Sequence, residues 1–122
     1  MAQTLYTIHG FNDAKVEHVM AEMAERGAPR IRVVDCGDHW MAIEGTHRIE
    51  AAARLGIAPE FEVLVQDDMV EADGLDLDCL APGERYTAGE VASEVYSQGA
   101  GCYRVERDGT LELVFNGLFV PA

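Results

Sequence analysis

Two basic residues stand at the start of a predicted helix in the segment GTHRIEAAARLG, which begins at Gly45. His47 and Arg48 fall in its first turn, where the helix dipole and unpaired N–H groups favour anions and disfavour cations. Gly45 would let a ligand approach the backbone closely, and Thr46 could offer N–H and hydroxyl groups. With charge-assisted hydrogen bonds from His47 and Arg48 added, the pattern predicts a binding site for an anionic group such as a phosphate.

A second cation occupies the same kind of position. Lys15 lies in the opening turn of the helix predicted for NDAKVEHVMAEMAERG, which begins at Asn12 or Asp13 and stops at Gly27. In an acid-rich chain, two helix starts that both carry cations predict that both helices face one anion pocket.

Each of these residues also has an ordinary structural interpretation. Lys15 is then a solvated side chain, and His47 is a hydrogen-bonded residue at a helix start. Arg48 would pair with Glu44 or Glu50. The residues alone leave the two interpretations open.

The elements that must position these residues follow from hydrophobic periodicity and turn chemistry. A capping box of Thr87 and Glu90 announces the third helix, and Asp108-Gly109 is a two-residue turn signal. The order is β-α-β-β-α-β followed by α-β-β, which predicts an α+β fold in a single domain over residues 1–122. The second helix is predicted from Thr46 to Leu55, and the third is predicted to end at about Ser97. The predicted strands are Gln3 to His9, Arg30 to Val34, His39 to Glu44, Phe61 to Val65 and a hairpin within CYRVERDGTLELVF.

The amino-acid composition limits which partners the protein can bind and indicates in which cellular compartment we expect it. Nine Lys and Arg residues face 22 Asp and Glu residues, so the clustered bases that nucleic acid requires are missing. No apolar run approaches the length of a membrane span, and no secretion signal is expected at the N-terminus. Three widely spaced cysteines indicate a reducing cytoplasm. Cys36, between two acids, is predicted to have a raised thiol pKa, and the acids of QDDMVEADGLDLD are predicted to form a solvated loop without a metal site.

The segment EGTHRIEAAARLG resembles the glycine-x-histidine-arginine box of the ParB/sulfiredoxin-like superfamily, in which such a turn opens an alanine-rich helix and holds nucleotide phosphates. DAKVEHVM, at 13–20, is similar to the sulfiredoxin segment whose lysine helps to bind ATP. The resemblance covers about residues 3–66 and implies that core, with 67–122 as a C-terminal extension. It implies a nucleotide ligand (ATP, ADP or CTP) with Mg²⁺, whose phosphates contact Lys15, Gly45, Thr46, His47 and Arg48.

Where the sequence differs from the motifs of that superfamily, fewer of the superfamily's activities are expected. Thr46 replaces the catalytic cysteine of sulfiredoxins, so repair of sulfinylated cysteine is not expected. The arginine-rich box and helix-turn-helix of partition proteins are missing, which speaks against chromosome segregation. Glu44 stands where free-serine kinases of the superfamily carry an acid, so it could act as a base or metal contact while His47 neutralises phosphate charge.

The leading interpretation is therefore a small nucleotide-binding protein, as a phosphotransferase or nucleotide hydrolase with Glu44 and His47 as catalytic residues. The alternative is a non-catalytic interaction or ligand-sensing module, whose acidic loop and apolar tail GLFVPA meet a protein partner or a second copy. A third reading, ParB-type DNA partition or nuclease activity, is disfavoured by the charge.

Overall fold

The structure, a computed structural model, describes residues 3–7, 10–71, 83–96 and 101–116. No helix within these ranges is both long and apolar enough to cross a membrane. The elements in chain order are β1 (Gln3–Tyr6), α1 (Asp13–Arg26), β2 (Arg30–Asp35), β3 (Trp40–Ala42), α2 (Thr46–Leu55), β4 (Glu60–Leu64), β5 (Met69–Glu71), β6 (Arg85–Thr87), α3 (Ala88–Tyr96), β7 (Cys102–Val105) and β8 (Leu111–Phe115).

Six of the strands form one mixed sheet in the order β4-β2-β3-β1-β7-β8. The pairs β1–β3 and β2–β4 are parallel, and the other neighbours are antiparallel. The predicted α+β class is therefore confirmed. Because β7 pairs with β1, the residues predicted as a C-terminal extension complete the same sheet that the first half begins.

Two short strands were missed by the sequence analysis. β5 and β6 form a separate antiparallel ribbon, in which Val70 pairs with Tyr86. β5 lies inside the acid-rich segment predicted to be a loop, and that part of the prediction is wrong. Each strand has three residues, which is too short for an alternation of apolar and polar residues to be recognised in the sequence. In β5, Val70 is the one buried residue.

Helices cover the sheet on both faces. α1 and α2 pack on one face over a core that includes Ile31 and Val33, while α3 packs on the other face against Val34 and Met41. The side chains of β2 alternate between these two cores because successive residues of a strand point to opposite faces. This arrangement sets α1 beside α2 on one side of the sheet.

The predicted helix boundaries agree with the structure. α1 is capped by Asn12, whose Oδ1 accepts the Lys15 N–H at 3.2 Å, and α3 begins with the predicted capping box. The C-terminal hairpin is also present, but its loop has three residues rather than two. Gly109 donates to the carbonyl of Glu106 and adopts a φ of 87°, which is the glycine that a three-residue loop requires.

Candidate functional site

The starts of α1 and α2 meet on the surface of the protein. The backbone N–H of Asn12, the N-cap of α1, donates to Nε2 of His47 in the first turn of α2 at 3.1 Å. This bond requires an unprotonated Nε2, so His47 serves here as a hydrogen-bond acceptor and not as a cation. The predicted cationic role of His47 would require this bond to break.

Lys15 and His47 line the same open hollow, which has a volume of about 380 Å³. His18 and Val19 of α1 complete its wall together with Ala14. Lys15 is exposed and is the chain's only lysine. The sequence prediction that the two helix starts present basic residue types to one hollow therefore agrees with the geometry for these two residues.

Arg48 lies in the adjoining hollow. This second hollow, of about 260 Å³, is lined by Val19, Glu22, Met23, Arg26, Gly27, Ala28, Pro29 and Arg48. Arg48 follows His47 directly, so its side chain leaves α2 roughly 100° further round the helix. Its Nη1 donates to the carbonyl of Arg30 at 3.2 Å. The prediction of one shared pocket is thus corrected to two adjoining hollows, both of which include Val19.

Gly45 begins α2 in the left-handed conformation, with φ 76° and ψ 31°. The first turn contains no acidic residue, and no side chain in the described part of the chain caps it. A Cβ at this position would lie 2.9 Å from Cδ1 of Ile31 and 3.0 Å from Nη2 of Arg48. The space on the Cβ side of Gly45 is therefore filled by Ile31 and Arg48, which favours glycine at this position.

Thr46 is buried, with 5 % of its surface exposed, and its Oγ1 has no hydrogen-bond partner among the described residues. It shares its burial with Ile49 and Glu50, three and four residues further along, so it belongs to the face of α2 that packs on the sheet. A direct contact between its hydroxyl and a bound phosphate, as the family resemblance implied, does not fit this position.

Glu44 forms a two-point ion pair with Arg32. Nε of Arg32 donates to Oε2 at 3.0 Å, and Nη2 donates to Oε1 at 2.9 Å. Burial alone would raise the pKa of the Glu44 carboxyl, but the hydrogen bonds and charge of Arg32, with a contribution from Arg48, hold it below its usual value. A carboxylate engaged in this way is a poor general base, so the geometry does not favour the predicted catalytic role.

Several residues at this site were missed or given no role by the sequence analysis. His18, Glu22 and Arg26 follow Lys15 at intervals of three, seven and eleven, so one stripe of α1 borders both hollows. The His18 ring lies 3.1 Å from Glu22. That helical spacing was a usable signal for these residues.

Cys36 is not among the residues that line the two hollows. Burial, and then the charges of Asp35 and Asp38, raise the pKa of the Cys36 thiol as expected, while a hydrogen bond with Gln66 acts in the opposite direction. Within the described ranges, no group of three or more His, Cys, Asp or Glu residues is placed to hold a metal ion. Cys79, most of the acidic segment and the tail at 117–122 lie outside the described residues.

Comparison with known proteins gives no relative: no family model matches the chain, and no curated protein or solved structure matches it either. The likeness to the ParB/sulfiredoxin-like superfamily therefore remains a prediction from the two short motifs.

Proposed function

We propose that this chain is a small phosphate-binding protein whose ligand is a nucleotide, held where α1 and α2 begin. The observation that carries the proposal is the hollow that Lys15 and His47 line from two different helices. Beside it, the first turn of α2 contains no acid, and no side chain among the described residues caps it, so the N-terminal end of the helix dipole favours a bound anion.

The distribution of ion pairs supports an anionic ligand. Five of the eight arginines pair with a carboxylate: Arg30, Arg32, Arg54, Arg85 and Arg104. In the described part of the chain, Arg26, Arg48 and Arg107 have no such pair. Arg107 is exposed in a hairpin loop, and Arg26 ends α1, where the dipole favours a cation. Arg48 alone stands without a carboxylate partner at the end of a helix that disfavours it.

The geometry supports binding more than phosphoryl transfer. Transfer needs a positioned nucleophile or base beside the phosphate. Glu44 is engaged with Arg32, and the hydroxyl of Thr46 is buried. Of the activities considered from the sequence, we therefore propose nucleotide binding without turnover, as in a ligand sensor.

A thermal-shift series tests the proposal with ATP, ADP, CTP and GTP, each with and without Mg²⁺. A ligand present at about 100 times its Kd adds roughly 2.7 kcal/mol to the free energy of unfolding, which for a domain of this size is a shift of several degrees. Lys15→Ala and Arg48→Ala should each reduce that shift. Arg107→Ala removes the same charge from a distant loop and should leave it unchanged. No shift with any nucleotide would contradict the proposal.

The single lysine allows a sharper measurement. Reductive methylation with ¹³C-formaldehyde places one side-chain NMR reporter at Lys15, beside the signal of the terminal amine. The bound ligand should move the Lys15 signal and, when added before the reagent, should slow its methylation. If the thermal shift occurs while the Lys15 signal stays fixed, the nucleotide binds somewhere else.

A second candidate, a protein-interaction module or homo-oligomer, has one observation in its favour. β8 lies at an edge of the sheet, and Val114 and Phe115 are 60 % and 50 % exposed. An apolar edge strand can pair with another chain. Sedimentation at several concentrations tests self-association, and Val114→Lys should abolish it. A monomer at all concentrations would remove the homo-oligomer.

A further inference from the structure

The segment Gly10–Asn12, called here the entry segment, precedes α1 and is fastened from two sides. On one side, Asn12 donates its N–H to His47 and accepts the Lys15 N–H at its own Oδ1. Asn12 therefore contacts both the ring of His47 and the backbone of Lys15. A contact that restrains the entry segment therefore also restrains these two residues of the hollow.

On the other side, the entry segment is held by Asn116, which directly follows β8. The N–H of Phe11 donates to Oδ1 of Asn116 at 2.9 Å, and Nδ2 of Asn116 donates to the Phe11 carbonyl at 3.4 Å. The side-chain amide thus pairs with both backbone groups of one residue, as a neighbouring strand would. The two residues are 105 positions apart in the chain.

We propose that Asn116 is a positioning residue for the anion site, acting through Phe11 and Asn12 on His47 and Lys15. The C-terminal part of the chain then contributes to the site as well as to the sheet. The inference rests on the proposed function for its effect on binding. The effect on the entry segment is a separate consequence that needs no ligand.

A general loss of stability is not the expected effect of changing this residue. Asn116 is exposed, and its two hydrogen bonds concern one backbone residue outside the helices and strands. Its removal leaves the sheet pairing of β8 with β7 and the packing of α2 in place. What changes is the restraint on a short segment that carries the α1 cap.

The test compares Asn116→Ala and Asn116→Gln with Val114→Ala, a truncation on the same exposed strand that touches neither Phe11 nor Asn12 in any hydrogen bond described. The ¹⁵N signals of the His47 ring report the acceptor state of Nε2 without any ligand. The dissociation constant of ADP reports the site. Asn116→Ala should move the ring signals toward those of a solvent-exposed imidazole. It should also weaken ADP binding by about threefold to tenfold, because Lys15 and His47 are less firmly positioned; a factor of this size corresponds to about one hydrogen bond to the ligand.

Asn116→Gln keeps the amide and should recover part of both effects, while Val114→Ala should show neither. Unchanged ring signals in Asn116→Ala would overturn the inference whether or not ADP binds. Altered ring signals with unchanged ADP affinity would also overturn it. If the unaltered protein does not bind ADP, the proposed function fails separately, and the ring signals still decide whether Asn116 positions His47.

Discussion

The two arginines of α2 differ in the hydrogen-bond partners of their side chains. Arg54 donates from Nε to Glu50 at 2.7 Å and from Nη2 to Asp13 at 2.5 Å, and its guanidinium lies over the Phe11 ring. In the contacts described, Arg48 donates only to a backbone carbonyl, and it lines the second hollow. The same helix thus carries one arginine that hydrogen-bonds to carboxylates and one that, among the described residues, does not, which distinguishes a structural role from a candidate binding role.

The environment of Glu50 explains why Arg54 is held so tightly. Glu50 is only 5 % exposed, and it accepts a hydrogen bond from the Tyr103 hydroxyl at 2.7 Å. Burial first, and then the neighbouring carboxylate, raise the pKa of Tyr103, so its hydroxyl remains a donor. This buried network ties α2 to both α1 and β7. Among the described residues, Arg48 has no such network and donates one hydrogen bond, to the Arg30 carbonyl.

The largest effect is expected from Arg54→Ala. It leaves the buried Glu50 carboxylate without its cation, which costs about 3 kcal/mol of unfolding free energy. Asp13→Ala removes the exposed end of the same network, whose side chain is mostly in solvent, and should cost less than about 1 kcal/mol. Urea unfolding measures both. If the two variants lost equal stability, the buried pair would not be the dominant interaction.

The two glycines that flank α2 give the next largest effect. Gly45 and Gly56 have nearly the same left-handed conformation, but only Gly45 is crowded, by Ile31 and Arg48. Alanine at Gly56 should cost about 1 kcal/mol from backbone conformation alone. Alanine at Gly45 should cost about 1 kcal/mol more because it also collides with Ile31. Equal losses in urea unfolding would mean that the Ile31 contact relaxes freely.

The elements around these glycines show what the sequence could predict. α2 was predicted with both ends correct, because glycines bound it and its apolar residues recur at helical spacing. Glu50 and Arg54 form an ion pair at the i, i+4 spacing of a helix, a spacing that is visible in the sequence. Its connections to Tyr103 and Asp13 could not be predicted, since they depend on which elements become neighbours in space.

The candidate site was predicted only in part for the same reason. The basic residue types at the helix starts were visible in sequence, and the two starts do meet. The direction of each side chain was not visible. Arg32 was not anticipated as the partner of Glu44, because that pair joins the middle of β2 to a residue that lies two positions after the end of β3. Nor could a helical pattern indicate that Asn116 reaches Phe11.

A smaller effect on stability is expected for a change at Glu44, which was predicted from the sequence to act as a base. Arg32 outweighs burial and lowers the pKa of Glu44 below its ordinary value of 4.5. The pair therefore stabilises the protein above that pH, and its contribution disappears as the pH falls through the folded pKa. Glu44→Gln should cost about 1 kcal/mol at pH 7, and the difference should narrow below about pH 4. A gap of constant size at pH 7 and pH 3 would contradict this assignment.

The smallest stability effect should come from Arg48→Ala. With no carboxylate partner among the described residues, Arg48 loses one hydrogen bond to a carbonyl and some packing, so the expected change is about 0.5 kcal/mol in urea without ligand. Removing a cation from the start of a helix offsets part of even that loss. Arg48→Ala should thus resemble Arg107→Ala in stability and differ from it only when nucleotide is present. A loss as large as that of Arg54→Ala would show that Arg48 is a structural residue, and the contrast between the two arginines of α2 would no longer indicate a binding site.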